Sequence, residues 1–214
     1  VRLDGQKFEQ FSITNEADAS AAHARLKTAA GSALKVSEVS RKERKRRPSA
    51  PFITSTLQQE AARKLGFTTK KTMQIAQKLY EGINIGSEGT VGLISYMRTD
   101  STHLSGEALE QLRDVIRQEY GTQNMPEKPN EYKSKSKNAQ EAHEAIRPTY
   151  ALRTPAKIGS FLSDDERKLY DLIWKRAVAS QMIHATLNTV SIELSAGAQH
   201  SFRASGTTVV DPGF

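Results

Sequence analysis

Apolar residues recur at helical spacing through the middle of this chain and at strand spacing toward both ends. That change of period constrains the fold most, because a stripe of period 3.6 cannot present one face as a strand of period two. Near the start, Val1, Leu3, Phe8, Phe11 and Ile13 read as short strands with a turn at Asp4–Gly5. An alanine-rich helix over residues 17–30 is stopped by Gly31, and Ala33 to Val39 reads as a strand. From Leu187 onward, Val190, Ile192 and Leu194 alternate with Ser191 and Glu193, a half-buried strand. Gly197 then marks a turn, and Phe202 and Ala204 the returning strand.

The middle reads as helices with local stop and start signals. Ser55-x-x-Gln58 has the form of a capping box and predicts a helix from Thr56, with Leu57, Ala61 and Leu65 on one face and Gly66 at its end. Thr68 or Thr69 caps a second helix with the stripe Met73, Ile75, Ala76, Leu79 and Tyr80, ending at Gly82. A glycine-containing loop, 82–92, leads into a strand over Leu93–Tyr96. Two helices, a tight turn and a strand predict a winged-helix-like unit; a packed helical hairpin without a nucleic-acid role fits the same pattern. Ser105 opens a further helix carrying Leu109, Leu112, Ile116 and Tyr120, stopped by Gly121. Residues 122–139 read as a long polar surface loop, and Gln140–Ile146 as a short helix before Pro148. Ser163-x-x-Glu166 is a second capping box, opening a long helix to about His184 with Trp174 in its core.

The expected fold class is α+β: a mostly helical domain, 48–184, inserted into a β-rich domain split between 1–47 and 185–214. The run Arg41-Lys42-Glu43-Arg44-Lys45-Arg46-Arg47 before Pro48 reads as a solvated linker or as a strap that tracks phosphates. The balance of 31 Lys and Arg against 24 Asp and Glu, a net charge of +7, suits a polyanionic partner. Without cysteine there is no disulfide and no thiolate metal site, and no apolar stretch approaches the length of a membrane span. The first residue is Val1 and the last four are Asp211-Pro212-Gly213-Phe214, so the sequence reads as a piece of a larger protein.

The chemistry concentrates in Gly92-Leu93-Ile94-Ser95-Tyr96-Met97-Arg98-Thr99-Asp100-Ser101-Thr102. In extended backbone Tyr96 and Arg98 lie on one face and can address one phosphate. A phenol has a reference pKa of about 10 and is a weak nucleophile at neutral pH. A neighbouring guanidinium favours the phenolate and neutralises charge on a phosphodiester under attack. Attack by tyrosine on a nucleic-acid backbone conserves the energy of the broken bond in a phosphotyrosine, ready for resealing.

The run Leu93–Thr102 resembles the active-site segment of type IA DNA topoisomerases. Ala50-Pro51-Phe52-Ile53-Thr54-Ser55-Thr56-Leu57-Gln58-Gln59 and Gln140-Glu141-Ala142-His143-Glu144-Ala145-Ile146-Arg147-Pro148 resemble the same family in order and approximate spacing. The resemblance covers about residues 48–150 and fades toward both ends. It implies a helical catalytic domain carried on a β-rich arch. It also implies Tyr96 as nucleophile with Arg98 beside it, and the partners are single-stranded and negatively supercoiled DNA. The family's Mg²⁺ site, a glutamate with an Asp-x-Asp signature, belongs to a Toprim domain. This chain has no Asp-x-Asp, so neither a metal nor another cofactor is expected within it, nor strand passage by the piece alone. A bacterial cytoplasmic, nucleoid-associated monomer is the implied setting.

For the supporting residues the pattern alone leaves two readings. His143 and Arg147 share a helix face at i, i+4 and serve either as phosphate contacts or in ordinary ion pairs. The resemblance favours DNA contact, with Glu144 orienting one of them. Thr56 and Gln58 sit at a helix start, as phosphate contacts or as caps. Asp100 lacks a second carboxylate for a metal and is expected to fix Arg98 or a backbone amide. Two other functions compete. A tyrosine recombinase or type IB enzyme has His-x-x-Arg ahead of its tyrosine, whereas here His143-x-x-x-Arg147 follows Tyr96. A non-catalytic winged-helix module would bind duplex DNA and tolerate loss of the Tyr96 hydroxyl.

Overall fold

The structure is a computed structural model that describes residues 2–3, 5–9, 11–132 and 143–214. The chain forms two compact units, Val1–Arg46 with Ala185–Pro212, and Arg47–His184 with Gly213–Phe214.

The first unit is an antiparallel sheet. Its strands are β1 (Arg2–Leu3), β2 (Gln6–Lys7), β3 (Lys35–Arg46), β6 (Ala185–Ala196) and β7 (His200–Asp211), in the order β2-β1-β7-β6-β3. Helix α1 (Glu16–Ala30) starts at Asn15, whose side chain accepts the Asp18 amide at 2.8 Å. Gly197 turns β6 into β7 with φ near +63°, a conformation few other residues adopt. A bulge between Val36 and Glu38 inserts one extra residue in β3. Val36 and Val39, three apart, therefore fall opposite Leu194 and Ile192 on one face.

The basic run is not a linker. It is the second half of β3, paired with β6 from Arg41↔Val190 to Arg46↔Ala185. The sheet ends at β3, and an edge strand full of Lys and Arg resists pairing with another chain. Asp4 of the expected first turn lies outside the described residues.

The second unit has a core of large, fully buried side chains, among them Phe52, Leu57, Leu79, Leu93, Ile94, Met97, Leu112, Ile146 and Ile173. Burying each such side chain contributes about 1.5–3 kcal/mol. Helix α2 (Thr54–Leu65) and helix α3 (Thr69–Glu81) meet through a turn at Gly66, and Thr68 caps α3. A two-stranded hairpin follows, β4 (Ile83–Asn84) with β5 (Thr90–Val91). After it come α4 (Gly106–Val115), one π-helical turn to Tyr120, the short α5 (Pro155–Ile158) and the central α6 (Asp164–Ser180). Helix α6 opens with the expected capping box: the Ser163 amide donates to Glu166 at 2.9 Å, and the Glu166 amide to the Ser163 hydroxyl at 3.4 Å. It stops at Ser180, four residues before the expected end. Trp174 is buried in it and donates from Nε1 to the Ala151 carbonyl at 2.8 Å.

Three local expectations are corrected. Helix α2 begins at Thr54, not Thr56, because the Thr56 hydroxyl accepts the Ile53 amide at 3.0 Å and the Thr54 amide is drawn to the Thr99 carbonyl at 2.9 Å. Leu93–Tyr96 is not a regular strand; Ile94 alone pairs, with Pro148. Residues 143–149 are extended, not helical, because Ile146 and Pro148 pair with Phe52 and Ile94. Residues 140–142 lie outside the described residues.

Of the expected loop 122–139, the described part up to Tyr132 is tied down, and residues 133–139 lie outside the described residues. The Asn130 side chain donates to the carbonyls of Ser180 (3.0 Å) and Met182 (2.9 Å), and the Tyr132 hydroxyl to Ser180 (2.8 Å). Burial pushes the Tyr132 hydroxyl up to about 12.

Candidate active site

Tyr96 and Arg98 are both exposed, and Met97 between them is fully buried. The buried methionine anchors the loop in the core and leaves the neighbour on each side exposed. Thr54 supplies the second anchor. Its hydroxyl lies 2.7 Å from the Met97 carbonyl and 3.0 Å from the Thr99 carbonyl, and accepts the Thr99 amide at 2.9 Å. Backbone on both sides of Arg98 is therefore fastened to the first turn of α2.

On the other side of Tyr96, Ser95 fastens the loop to the 143–149 segment. Its hydroxyl donates to the Ala145 carbonyl at 2.6 Å and accepts the Arg147 amide at 3.0 Å. The Ser95 amide donates to the Arg147 carbonyl at 2.9 Å. Helix α3 provides a third attachment. The Leu93 amide donates to the Leu79 carbonyl at 2.7 Å, closing the loop on the helix's last turn. A Cβ on Gly92 would stand 2.6 Å from the Tyr80 carbonyl oxygen, so only glycine permits this approach. The Tyr80 ring then meets the Tyr96 ring edge-on, with centroids 5.3 Å apart and planes at 62°.

Tyr80 was expected in the buried stripe of α3. It is instead 40% exposed, beside a Tyr96 that is 47% exposed. The buried face of α3 is Thr72, Ile75, Ala76 and Leu79, which leaves Tyr80 at its margin.

The supporting residues divide. Arg147 is only 15% exposed and its guanidinium is occupied. Its terminal nitrogen meets Glu144 at 2.7 Å, its Nε lies 3.2 Å from the same oxygen, and its other terminal nitrogen donates to the Pro148 carbonyl at 3.0 Å. Glu144 also accepts the Ser105 amide at 2.7 Å, linking this pair to the start of α4. Burial works against the charged form of Glu144, but the Arg147 fork and the Ser105 amide outweigh it and hold the carboxyl below the usual glutamate range. His143 is exposed.

Asp100 does not fix Arg98: among the described residues neither has a hydrogen-bond or ion-pair partner. The amides nearby are met by buried hydroxyls instead, Ser101 by Thr99 at 3.0 Å and His103 by Ser101 at 3.1 Å. Thr56 acts as a cap, and Gln58 is half-buried on α2. Thr54 and Ser95 carry no functional signal of their own in the sequence, and the periodicity of α3 places Tyr80 only in a core stripe. The small polar residues flanking an exposed tyrosine were the available signal.

No helix among the described residues is long and apolar enough to cross a membrane.

Comparison with known proteins gives the family. A family model described as DNA topoisomerase matches residues 2–214. The chain is 64% identical over all 214 residues to DNA topoisomerase 1 of Xylella fastidiosa strain 9a5c, covering 26% of that protein. It is 50% identical over 215 aligned positions to DNA topoisomerase 1 of Rickettsia bellii, again covering 26% of it. The full-length topoisomerase I structure from Thermotoga maritima superposes with a TM-score of 0.73 at 40% identity, over 84% of this chain and 28% of that one. The chain spans about a quarter of the length of these relatives, and it belongs to the DNA topoisomerase family.

Proposed function

We propose that this chain is the strand-cleaving part of a type IA DNA topoisomerase, with Tyr96 as its covalent nucleophile. The observation that supports this most is the joint exposure of Tyr96 and Arg98 on either side of buried Met97, in a chain of that family. The Tyr96 oxygen attacks a backbone phosphorus of a single strand. The bond from phosphorus to the 3′ oxygen breaks, the phenol gives up its proton as the 3′ oxygen takes one up and leaves as a hydroxyl, and the 5′ phosphate stays on the tyrosine. The reverse attack reseals the strand after another has passed, which relaxes negative supercoils.

Arg98 offers its fork of N–H donors to the non-bridging oxygens of the attacked phosphate. His143 contacts the same strand, and Thr56 and Gln58 lie at a helix start where amides attract phosphate. Arg147 and Glu144 are positioning residues: their mutual pairing holds the extended segment to which Ser95 is bonded. Helices α2 and α3 with the β4–β5 hairpin make a winged-helix-like unit, and the sheet unit is part of a β-rich arch. By family resemblance Mg²⁺ is assigned to a Toprim domain outside this sequence, and no step above runs through it. The setting is a monomer in the bacterial cytoplasm, acting on single-stranded and negatively supercoiled DNA.

A gel relaxation assay tests this division of labour. The longer protein relaxes negatively supercoiled DNA with Mg²⁺, and the 214-residue chain does not, with or without it. Robust relaxation by the chain alone would place the acid and metal partners inside these residues and overturn the proposal.

A further inference from the structure

We infer that the exposed face of α3 is a binding groove for a single DNA strand and leads that strand to Tyr96; the inference rests on the strand-cleaving reading above. A groove of about 830 Å³ runs along this face, lined by Lys70, Lys71, Gln74, Gln77 and Lys78 and closed by Arg98. Residues 70, 74 and 78 recur every four positions, with 77 three after 74, on one side of the helix. At 1.5 Å per residue, Lys70 and Lys78 stand about 12 Å apart along the axis.

The charge in the groove is unbalanced. Four cations line it against one carboxylate, Glu81, which accepts from Gln77 at 2.6 Å. Lys71 reaches Asp165 at 2.7 Å and lies over the Phe67 ring, so it is partly used within the fold. Lys70, Lys78 and Arg98 have no acidic partner among the described residues. The opposite face of α3 packs the core, so these lysines are not needed to hold the helix in place.

The aromatic neighbours select the kind of nucleic acid. The Tyr80 and Tyr96 rings stand exposed where α3 ends. A cationic groove beside accessible aromatic rings is the chemistry of single-strand binding, in which unpaired bases stack on rings while phosphates track the charges. A duplex keeps its bases stacked on each other and gains nothing from such rings. The Leu93–Leu79 hydrogen bond and the Gly92–Tyr80 approach also fix α3 to the Tyr96 loop. A strand held on α3 is thereby held in register with the nucleophile.

Fluorescence anisotropy with a labelled oligo-dT and a duplex of equal length, over a salt series, tests the groove on the 214-residue chain. Three variants are compared: Lys70→Glu/Lys78→Glu in the groove, Lys42→Glu/Arg44→Glu on β3 as an equal charge change, and Tyr80→Leu. The groove pair weakens oligo-dT binding at least tenfold, with an unchanged thermal melt by circular dichroism. It flattens the log–log salt slope by about 1.4, the loss of two single-strand phosphate contacts. Tyr80→Leu weakens binding severalfold and leaves the slope unchanged. The inference is overturned if the wild-type chain does not bind oligo-dT or prefers the duplex. An equal or smaller effect of the groove pair than of the β3 pair also overturns it. Cleavage by the longer protein that leaves the strand joined to a residue other than Tyr96, with groove binding intact, would instead break the nucleophile reading.

Discussion

Thr54 and Thr99 are bonded reciprocally: the Thr54 amide donates to the Thr99 carbonyl at 2.9 Å, and the Thr99 amide donates to the Thr54 hydroxyl at 2.9 Å. The pair closes a small ring between the start of α2 and the loop that presents Tyr96 and Arg98. Helix packing in the core is transmitted to the site through it.

Thr54→Val keeps the shape and removes the hydroxyl, leaving the Thr99 amide and the Met97 carbonyl without that partner. Leaving a half-buried group unpaired costs about 1–3 kcal/mol. A urea titration of the chain should show a midpoint lowered to match, with Thr54→Ser close to wild type. In the longer protein, oligonucleotide cleavage should fall more than oligonucleotide binding. A Val variant with wild-type stability and cleavage would remove Thr54 from the account.

Gly92→Ala tests the seam between α3 and the loop. The added carbon meets a backbone oxygen at 2.6 Å, which no rotamer change relieves. The Leu93–Leu79 hydrogen bond and the Tyr80–Tyr96 contact must then open. The chain should be destabilised by about 1–3 kcal/mol, the usual cost of overpacking, with a changed near-ultraviolet circular dichroism from the displaced tyrosines. An unaltered spectrum and melt would show that the seam is not rigid.

The Glu144–Arg147 pair makes a prediction in pH. The folded-state pKa of Glu144 is depressed, so its contribution to stability is complete above the ordinary glutamate value of 4.5. That contribution is lost as pH falls from there through the folded value. Glu144→Gln should therefore destabilise the chain at pH 7, and the difference from wild type should shrink below about pH 4. Arg147→Lys should also destabilise it, because a lysine cannot reproduce the forked contacts. A wild-type minus Glu144→Gln difference that stays flat from pH 7 to pH 3 would contradict the pairing.

Signals confined to a few residues are readable in the sequence, and those set by distant partners are not. Ser163 and Glu166 cap α6 as their spacing requires, because both bonds close within one turn. Thr54 becomes the first helical residue for a reason 45 positions away, its bond to Thr99. The basic run looks like a linker because its pairing partner, β6, begins at Ala185. Residues 143–149 have helical composition at their start, yet their backbone bonds go to Phe52, Leu93 and Ser95, and those partners dictate an extended path. Tyr80 falls on the edge of the apolar stripe, where periodicity cannot distinguish burial from contact with Tyr96. Tyr96 and Arg98 themselves are legible as a pair flanking an apolar residue, and buried Met97 leaves both exposed, but the backbone bends at Met97 and Arg98 where the spacing alone predicts an extended path.

Covalent labelling tests the central claim most directly. The longer protein is incubated with a 3′-end-labelled single-stranded oligonucleotide and Mg²⁺, denatured, and the labelled peptide identified by mass spectrometry. The label should be joined to Tyr96 through the 5′ phosphate of the cleaved strand, and Tyr96→Phe should carry none while still binding the oligonucleotide. Label on any other residue, or covalent label and relaxation persisting in Tyr96→Phe, would contradict the account.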